Sequence, residues 1–352
     1  MTPTPRTAII AAPPGAAMSP SPHTAAIAFR QGQIDALART LFASPALYPA
    51  ERRQCFALRT LVRAWSQYRE DRAVMMGENL IGGECAAERD AFLTLLVAAL
   101  PDPRSDLARA IQRVRQTVIR PLAAEAAATA VIVDAGLEEL EAVRLVAASA
   151  NLPADPAARL LTIVRSLRRS ADVDGDPLSA TATSPCWAVN LLAVGEPALF
   201  GLTPHPLPFP GLVRRRLFRA DRDPDRERDD ISEFILDALY ETLCDVARMP
   251  RAAAAFAEAF PGLRRNSRLF DAWMLLFAFG SLTPAQLARA LPCTKAGAGK
   301  LLRQLAVRQF ANTPHTFEPY TCGLGMTVHL SRDLSTSAGF GLELHQGLDA
   351  RP

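Results

Sequence analysis

Long hydrophobic runs are missing from this sequence. Its most apolar stretches, 91–100 and 187–202, are too short or carry a charged residue, whereas a membrane-spanning helix needs about 20 consecutive apolar residues. Near the amino terminus the apolar run 8–12 ends at Pro13, too early for the core of a signal peptide. We therefore expect no membrane partner and a cytoplasmic protein.

Closely spaced cysteines and familiar catalytic motifs are also missing. The six cysteines include no Cys-x-x-Cys pair, although a secreted disulfide framework would be denser and a zinc site would show paired ligands. No His-Glu-x-x-His, Gly-x-Ser-x-Gly, Walker A or Gly-x-Gly-x-x-Gly sequence occurs. These absences predict no metal, no cofactor and no enzyme activity. An enzyme site assembled from several helices without a linear motif stays open as an alternative.

Glycine-rich and β-branched runs are scarce, while alanine, leucine and arginine dominate. That composition favours helices over strands. With 352 residues, 49% of them hydrophobic and 21% charged, the chain is typical of a globular protein with two domains. The predicted fold class is mainly α, with a helical amino-terminal bundle and a smaller carboxy-terminal domain.

Proline and charge patterns divide the chain into parts. Proline-rich residues 1–22 are predicted to be a disordered tail, and 201–230, which are rich in proline and mixed charge, a linker. Between them, 23–200 are predicted to form the helical domain, whose segments include helices over 122–133 and 137–149. The carboxy-terminal domain is expected over 231–330, opening with a buttressing helix, and 331–352 as a tail or an extended wing.

The stretch 281–310 has the local signals of a helix, a short turn and a second helix. Thr283 suits the N-cap of a helix over 284–291, and Gln286 stands at the third position, where a capping box needs it. Thr294 can cap the following helix, over 295–307. These signals predict a helix-turn-helix.

The second helix of this pair has a basic outer side. Its leucines are spaced to face inward, and Lys295, Gly299 and Arg303 follow one another at four-residue intervals on the other side. Such a helix can enter a DNA major groove. Each glycine costs about 1 kcal/mol of helix stability relative to alanine, so a packing or contact reason is expected for it.

Positive charge is concentrated around the same segment. Residues 248–308 hold ten basic and two acidic residues, a net charge of +8, while the whole chain carries +3. The two lysines of the chain, Lys295 and Lys300, both lie in the second helix, and the other 37 basic residues are arginine. This distribution is the electrostatic footprint of a phosphate-binding surface. An ordinary helical hairpin with solvated charges is the alternative.

Residues 264–305 resemble the carboxy-terminal winged helix-turn-helix of bacterial, often plasmid-borne, helical proteins, and the segment that follows the catalytic domain in Fic-type proteins. The resemblance implies a winged helix with helices over 268–279, 284–291 and 295–307 and a wing within 312–330. The anion nest of a Fic active site does not follow His205, so no Fic activity is implied.

We therefore predict a non-enzymatic protein that binds double-stranded DNA, as a transcriptional regulator or a plasmid-maintenance accessory factor. The amino-terminal domain is expected to form a homo-oligomer or to bind a protein partner. The alternative is a protein-interaction scaffold in which the winged helix binds another protein. The predicted DNA-binding residues are Thr294, Lys295, Gly299, Lys300 and Arg303 in the groove, and Arg264, Arg265, Arg268 and Arg308 on phosphates.

Overall fold

A computed structural model describes most of the chain and is dominated by helices, which confirms the predicted mainly α class. The described residues are 22–43, 50–73, 80–81, 86–117, 123–168, 184–205, 209, 211–219, 223–264, 267–312 and 320–322. In this part of the chain no helix is both long enough and apolar enough to cross a membrane. The predicted tails, 1–22 and 331–352, lie outside the described residues except for Pro22, where the first helix begins.

Eleven α-helices and three short strands make up the regular structure of the described residues, together with two 3-10 turns. The helices are α1 Pro22–Ala43, α2 Ala50–Asp71, α3 Ala86–Ala98, α4 Asp106–Thr117, α5 Ala123–Ala147, α6 Pro156–Arg168, α7 Cys186–Gly195, α8 Pro224–Ala259, α9 Leu269–Phe279, α10 Pro284–Ala290 and α11 Lys295–Val307. The strands are β1 Ser281–Leu282, β2 Ala311–Asn312 and β3 Tyr320–Cys322.

Helix α2 lies at the centre of the fold and packs against α4, α7 and α9. Its buried side chains Trp65 and Tyr68 lie three residues apart, on one face of the helix. The Trp65 and Tyr68 rings lie 5.3 and 5.2 Å from the Phe92 ring of α3, and Tyr68 lies 5.7 Å from the Trp187 ring of α7. These aromatic contacts hold three helices of the bundle together.

The core continues through the stretch that composition assigns to a linker. Phe209, Leu212, Val213 and Leu217 are all buried, and one cluster of buried side chains extends from α1 to β2. The buttressing helix, predicted to begin at residue 231, begins instead at Pro224. That prediction was wrong because ion pairs with α6 hold the charged run before 231 in a helix.

Glu227 anchors the first turn of α8. Its buried carboxylate pairs with Arg165 at 2.9 Å and with Arg168, both on α6. These ion pairs hold the pKa of Glu227 below its usual range against the opposing effect of burial. A mixed-charge sequence therefore becomes helix here because α6 supplies two guanidinium groups for a carboxylate that would otherwise be buried alone.

The second half of α8 supports the carboxy-terminal elements. The Phe256 ring lies 4.8 Å from Trp273 and 5.4 Å from Phe270, both on α9, and 5.6 Å from Phe310. Helix α9 in turn packs on α2, where Arg59 donates to the carbonyl of Ala278 at 3.4 Å. The carboxy-terminal elements are thus seated directly on the helical bundle.

Gly195, the last residue of α7, allows a close backbone contact with the end of α3. A Cβ at this position would lie 2.4 Å from the carbonyl oxygen of Ala99, just after α3. We expect Gly195→Ala to lower the free energy of unfolding by about 3 kcal/mol, because a backbone atom cannot move aside as a side chain can. Urea unfolding checks this, with Gly32→Ala, whose Cβ meets no atom within 4 Å, as control. Equal stability of the two variants would contradict it.

The last elements follow one another as α9, β1, α10, α11, β2 and β3. Both strand pairs are antiparallel and β3 is central, with Ser281 opposite Thr321 and Ala311 opposite Cys322. Helix α11 has the predicted bounds, whereas α9 begins one residue later than predicted and α10 ends one residue earlier. Between β2 and β3, residues 313–319 of the predicted wing lie outside the described residues, as do 323–330.

The predicted caps of α10 and α11 are both confirmed. Thr283 Oγ1 accepts the Gln286 backbone N–H at 3.2 Å, and Gln286 Oε1 accepts the Thr283 N–H at 2.8 Å, which completes the capping box. Thr294 Oγ1 accepts the Gly297 N–H at 3.1 Å. The start of α11, and with it the direction of its outer face, is therefore fixed by local hydrogen bonds.

Candidate nucleic-acid interface

Helix α11 is held by three apolar side chains on one face. Ala298, Leu302 and Leu305 are fully buried against the core. Their spacing of four and three residues places them on the same side of the helix. The opposite side therefore points away from the protein, which decides what α11 can contact.

The exposed surface of α11 carries three cations and no acid. Lys295, Lys300 and Arg303 are exposed, and no Asp or Glu occurs anywhere in the helix. Within the described ranges, none of these three side chains has a hydrogen-bond or ion-pair partner. Three positive charges of α11 thus have no anionic partner among the described residues.

Most arginines of the helical bundle, in contrast, already have anionic partners. Arg144 pairs with Glu196 at 3.0 Å, and Arg63 pairs with both Asp245 and Glu241 across α2 and α8. Arg159 instead donates to three backbone carbonyls at 2.6–3.4 Å. Most arginines of the bundle therefore serve its internal structure. The cations of α11, in contrast, have no partner among the described residues.

The predicted phosphate-contacting arginines occupy several places around α11. Arg308 is exposed and forms the C-cap of α11, and exposed Arg264 lies in the loop after α8. Arg268 is exposed as the N-cap residue of α9, and its guanidinium donates to the carbonyl of Pro292 in the turn before α11. Arg265 lies outside the described residues. The structure thus brings Arg268 and Arg308 to the two ends of α11, and no described contact joins Arg264 to it.

The two glycines of α11 have different structural reasons. A Cβ on Gly297 would lie 3.2 Å from the capping oxygen of Thr294, so this glycine leaves room for the cap. A Cβ on Gly299 would meet no atom within 4 Å. The packing or contact reason expected for Gly299 is therefore not found among the described residues.

Three further residues of the outward face were not among the predicted contacts. Ala296, Gln304 and Val307 are exposed beside the cations, Val307 to 80%. Their four- and seven-residue distances from Lys300 place them on the same side. Helical spacing predicts these positions from the sequence, whereas charge alone gives no indication of neutral side chains.

A second cluster of polar groups is buried between α2 and α7. The Asp71 carboxylate accepts hydrogen bonds from Gln67 at 2.8 Å, from Asn190 at 2.8 Å and from the Cys186 thiol at 3.4 Å. Asn190 also accepts the backbone N–H of Val213 at 3.1 Å. Burial raises the pKa of Asp71 to about 6, although these hydrogen bonds oppose the shift, and it raises the pKa of Cys186. A cysteine of that kind is a poor nucleophile.

The cavity beside this cluster is very small. It has a volume of about 10 Å³ and is lined by residues including Gln67, Tyr68 and Asn190, which is room for about one water molecule. No group of three or more metal-binding side chains occurs among the described residues. The cluster is therefore best understood as a junction that fastens the stretch around Val213 to the bundle.

Glu139 of α5 is a half-buried carboxylate near this junction. It accepts the indole N–H of Trp187 at 2.9 Å. Burial raises its pKa from 4.5 to about 7, while the Trp187 hydrogen bond and the charge of Arg72 oppose the shift. Folding therefore favours the protonated carboxyl group, and this contribution to stability is complete below pH 4.5 and is lost as the pH rises to about 7.

We expect Glu139→Gln to flatten the pH dependence of stability between pH 6 and 7.5, by about 1 kcal/mol. The amide keeps an oxygen for Trp187 and cannot ionise. Asp71 acts in the same direction at lower pH, so this window separates the two groups. Urea unfolding at several pH values measures the effect, with exposed Glu138→Gln as a control for the lost charge. An unaltered slope in Glu139→Gln would refute the assignment.

Comparison of the chain with known proteins gives no guide to its family. No family model, no curated protein and no solved structure matches it. The resemblance to the winged helix of bacterial helical proteins therefore stays a prediction. The function proposed below rests on the geometry of α11 and its surroundings.

Proposed function

We propose that α9 to β3 form a winged helix-turn-helix and that the protein binds double-stranded DNA through α11. The order helix, strand, helix, helix, strand, strand, with β3 between β1 and β2, supports this architecture. Transcriptional regulation or plasmid maintenance in a bacterial cell is the biological role that we propose with it.

The observation that carries the proposal is the positive, acid-free surface of α11, whose cations have no partner among the described residues. A 13-residue helix is about 20 Å long, and the major groove of B-DNA, about 12 Å wide, admits one helix. Lys295, Lys300 and Arg303 would reach phosphates or the acceptor edge of guanine. Arg268 and Arg308, at the two ends of the helix, would contact the flanking phosphates.

A gel-shift experiment with random duplex fragments at 50 and 200 mM salt tests the proposal. If the protein makes about six phosphate contacts, raising the salt concentration from 50 to 200 mM should weaken the affinity by about 10³-fold, because each contact releases counterions on binding. Failure to retain duplex DNA at the lower salt concentration would refute DNA binding.

A protein-interaction scaffold is the second candidate, and the exposure of Val307 beside the cations favours it. An apolar side chain that is 80% exposed is also suited to a protein surface with acidic residues around an apolar centre. Co-purification of a stoichiometric protein partner, together with no DNA retention at 50 mM salt, would support the scaffold and oppose the DNA-binding proposal.

A further inference from the structure

The outer face of α5 is the most apolar exposed helical surface among the described residues. Val131 and Leu145 are 70% and 67% exposed, and Leu137 is 39% exposed. Only six large hydrophobic residues are exposed in the described structure, and three of them are these residues of one helix. Scattered single residues of this kind need no explanation, but a group on one helix does.

Val131 and Leu145 belong to a continuous stripe, and Leu137 lies to one side of it. Exposed residues follow one another at intervals of three or four along a single face, for a length of about 27 Å. The helix buries Leu140, Val143 and Ala147 on its inner side, against α3, α6 and α7. The stripe consists of Ala127, Val131, Ala135, Glu138, Ala142 and Leu145.

Small side chains make this face suitable for a second helix. Three of the six positions are alanine, so a helix axis can approach closely, at the 8–10 Å that packed helices adopt. Val131 and Leu145 then act as anchors near the two ends. Anchors at helical spacing on an exposed face are typical of helix-to-helix recognition.

Charge decides which helix fits. Asp134, Glu138 and Glu141 are exposed on or beside the stripe. The one basic residue of α5, Arg144, turns aside and pairs with Glu196 at 3.0 Å and with Glu141 at 3.4 Å. The described face is therefore acidic, with Glu138 at its middle and the apolar anchors towards its ends, in a chain whose overall charge is +3.

A second copy of the chain is a poor match for this face. In an antiparallel pair that sets Val131 against Leu145 of the other copy, Glu138 would face its own equivalent at the centre. In a parallel pair every carboxylate would lie beside its equivalent. Like charges in contact disfavour both arrangements.

We propose that the outer face of α5 docks a basic amphipathic helix of a partner protein. The apolar side of that helix packs on Val131 and Leu145, and its Lys or Arg side chains pair with Asp134 and Glu138. This proposal is independent of DNA binding, because it rests on a different helix on the amino-terminal bundle.

Two synthetic 18-residue amphipathic helices serve as probes for the full-length chain. Both carry leucine on one face, and the other face carries lysine in the first peptide and glutamate in the second. Fluorescence anisotropy at 150 mM salt is expected to show at least tenfold tighter binding of the lysine peptide. Equal affinities for the two peptides would overturn the proposal.

The double variant Val131→Asp/Leu145→Asp tests where the peptide binds. It should weaken binding of the lysine peptide at least tenfold, although the added carboxylates alone would strengthen it. Phe29→Asp on α1, at a residue 62% exposed, is the matched control and should bind as the wild type does. An unchanged affinity in the double variant overturns the proposal. So does a wild-type dimer in sedimentation velocity that becomes a monomer in the double variant, since the face would then belong to a second copy.

Discussion

Replacing Lys295, Lys300 and Arg303 together with alanine is expected to reduce the salt dependence of DNA binding by about three units in the slope of log K against log salt. At 0.1 M salt the affinity should fall on the order of a hundredfold or more, because three counterion-releasing contacts are lost. Gel shifts or anisotropy over a salt series measure both quantities on the same duplex.

The triple variant should fold as the wild type does. The three side chains are exposed and have no partner within the described residues, and alanine is the best helix former. A matched control removes three exposed arginines elsewhere: Arg39 of α1, Arg109 of α4 and Arg226 of α8. The control changes the net charge by the same amount, so an equal loss of affinity in both triple variants would refute a site on α11, as would an unaltered slope.

The helix-turn-helix could be predicted from the sequence because its signals are local. Thr283 with Gln286 and Thr294 with Gly297 lie within one turn of each other, and each hydrogen bond depends only on nearby backbone. The order of the last helices follows from such caps. The predicted bounds of Lys295–Val307 agree with the structure for this reason.

The arrangement around 201–230 could not be predicted in the same way. Composition gives proline and mixed charge a loop-like character, but it contains no information about distant partners. Arg165 and Arg168 hold Glu227 from α6, and Asn190 holds the backbone of Val213 from α7. Tertiary contacts therefore decide the structure of this stretch over its local preference.

Helix α5 shows the same limit. The sequence predicts two helices with a gap that includes Gly136, whereas one continuous helix is observed. A Cβ on Gly136 would lie 2.8 Å from the Leu95 side chain and 3.3 Å from the Trp187 ring. The glycine is therefore a packing residue within a helix, and only the position of α3 and α7 distinguishes this role from a helix break.

The positive charge of α11 could be predicted from the sequence, but the lack of partners for its cations among the described residues could not. Sequence counting finds the excess of basic residues in 248–308, and cannot tell an arginine bound to a carboxylate from one that is solvated. Arg113, for example, lies 3.8 Å from Asp271 of α9. Only the three-dimensional structure distinguishes such an ion pair from the cations of α11, which have no partner among the described residues.

Gly299→Ala is expected to stabilise the protein and to weaken DNA binding at the same time. A methyl group at this position meets no atom within 4 Å, so the substitution should gain about 1 kcal/mol of unfolding free energy from helix propensity and raise Tm by about 1–2 °C. The same methyl group would project from the face that carries Lys295 and Arg303. If DNA approaches the helix there, affinity should fall about tenfold, since the backbone can no longer come as close.

Gly32→Ala is the control for Gly299→Ala. Gly32 also lies within a helix, α1, and a Cβ there also meets no atom within 4 Å, so both variants should gain similar stability in thermal and urea unfolding. Only Gly299→Ala should lose affinity for duplex DNA. If it gains stability and still binds DNA as tightly as Gly32→Ala, the duplex does not approach α11 at Gly299. If Gly299→Ala loses stability instead, Gly299 has a packing role inside the protein, and no contact with DNA is needed to explain this glycine.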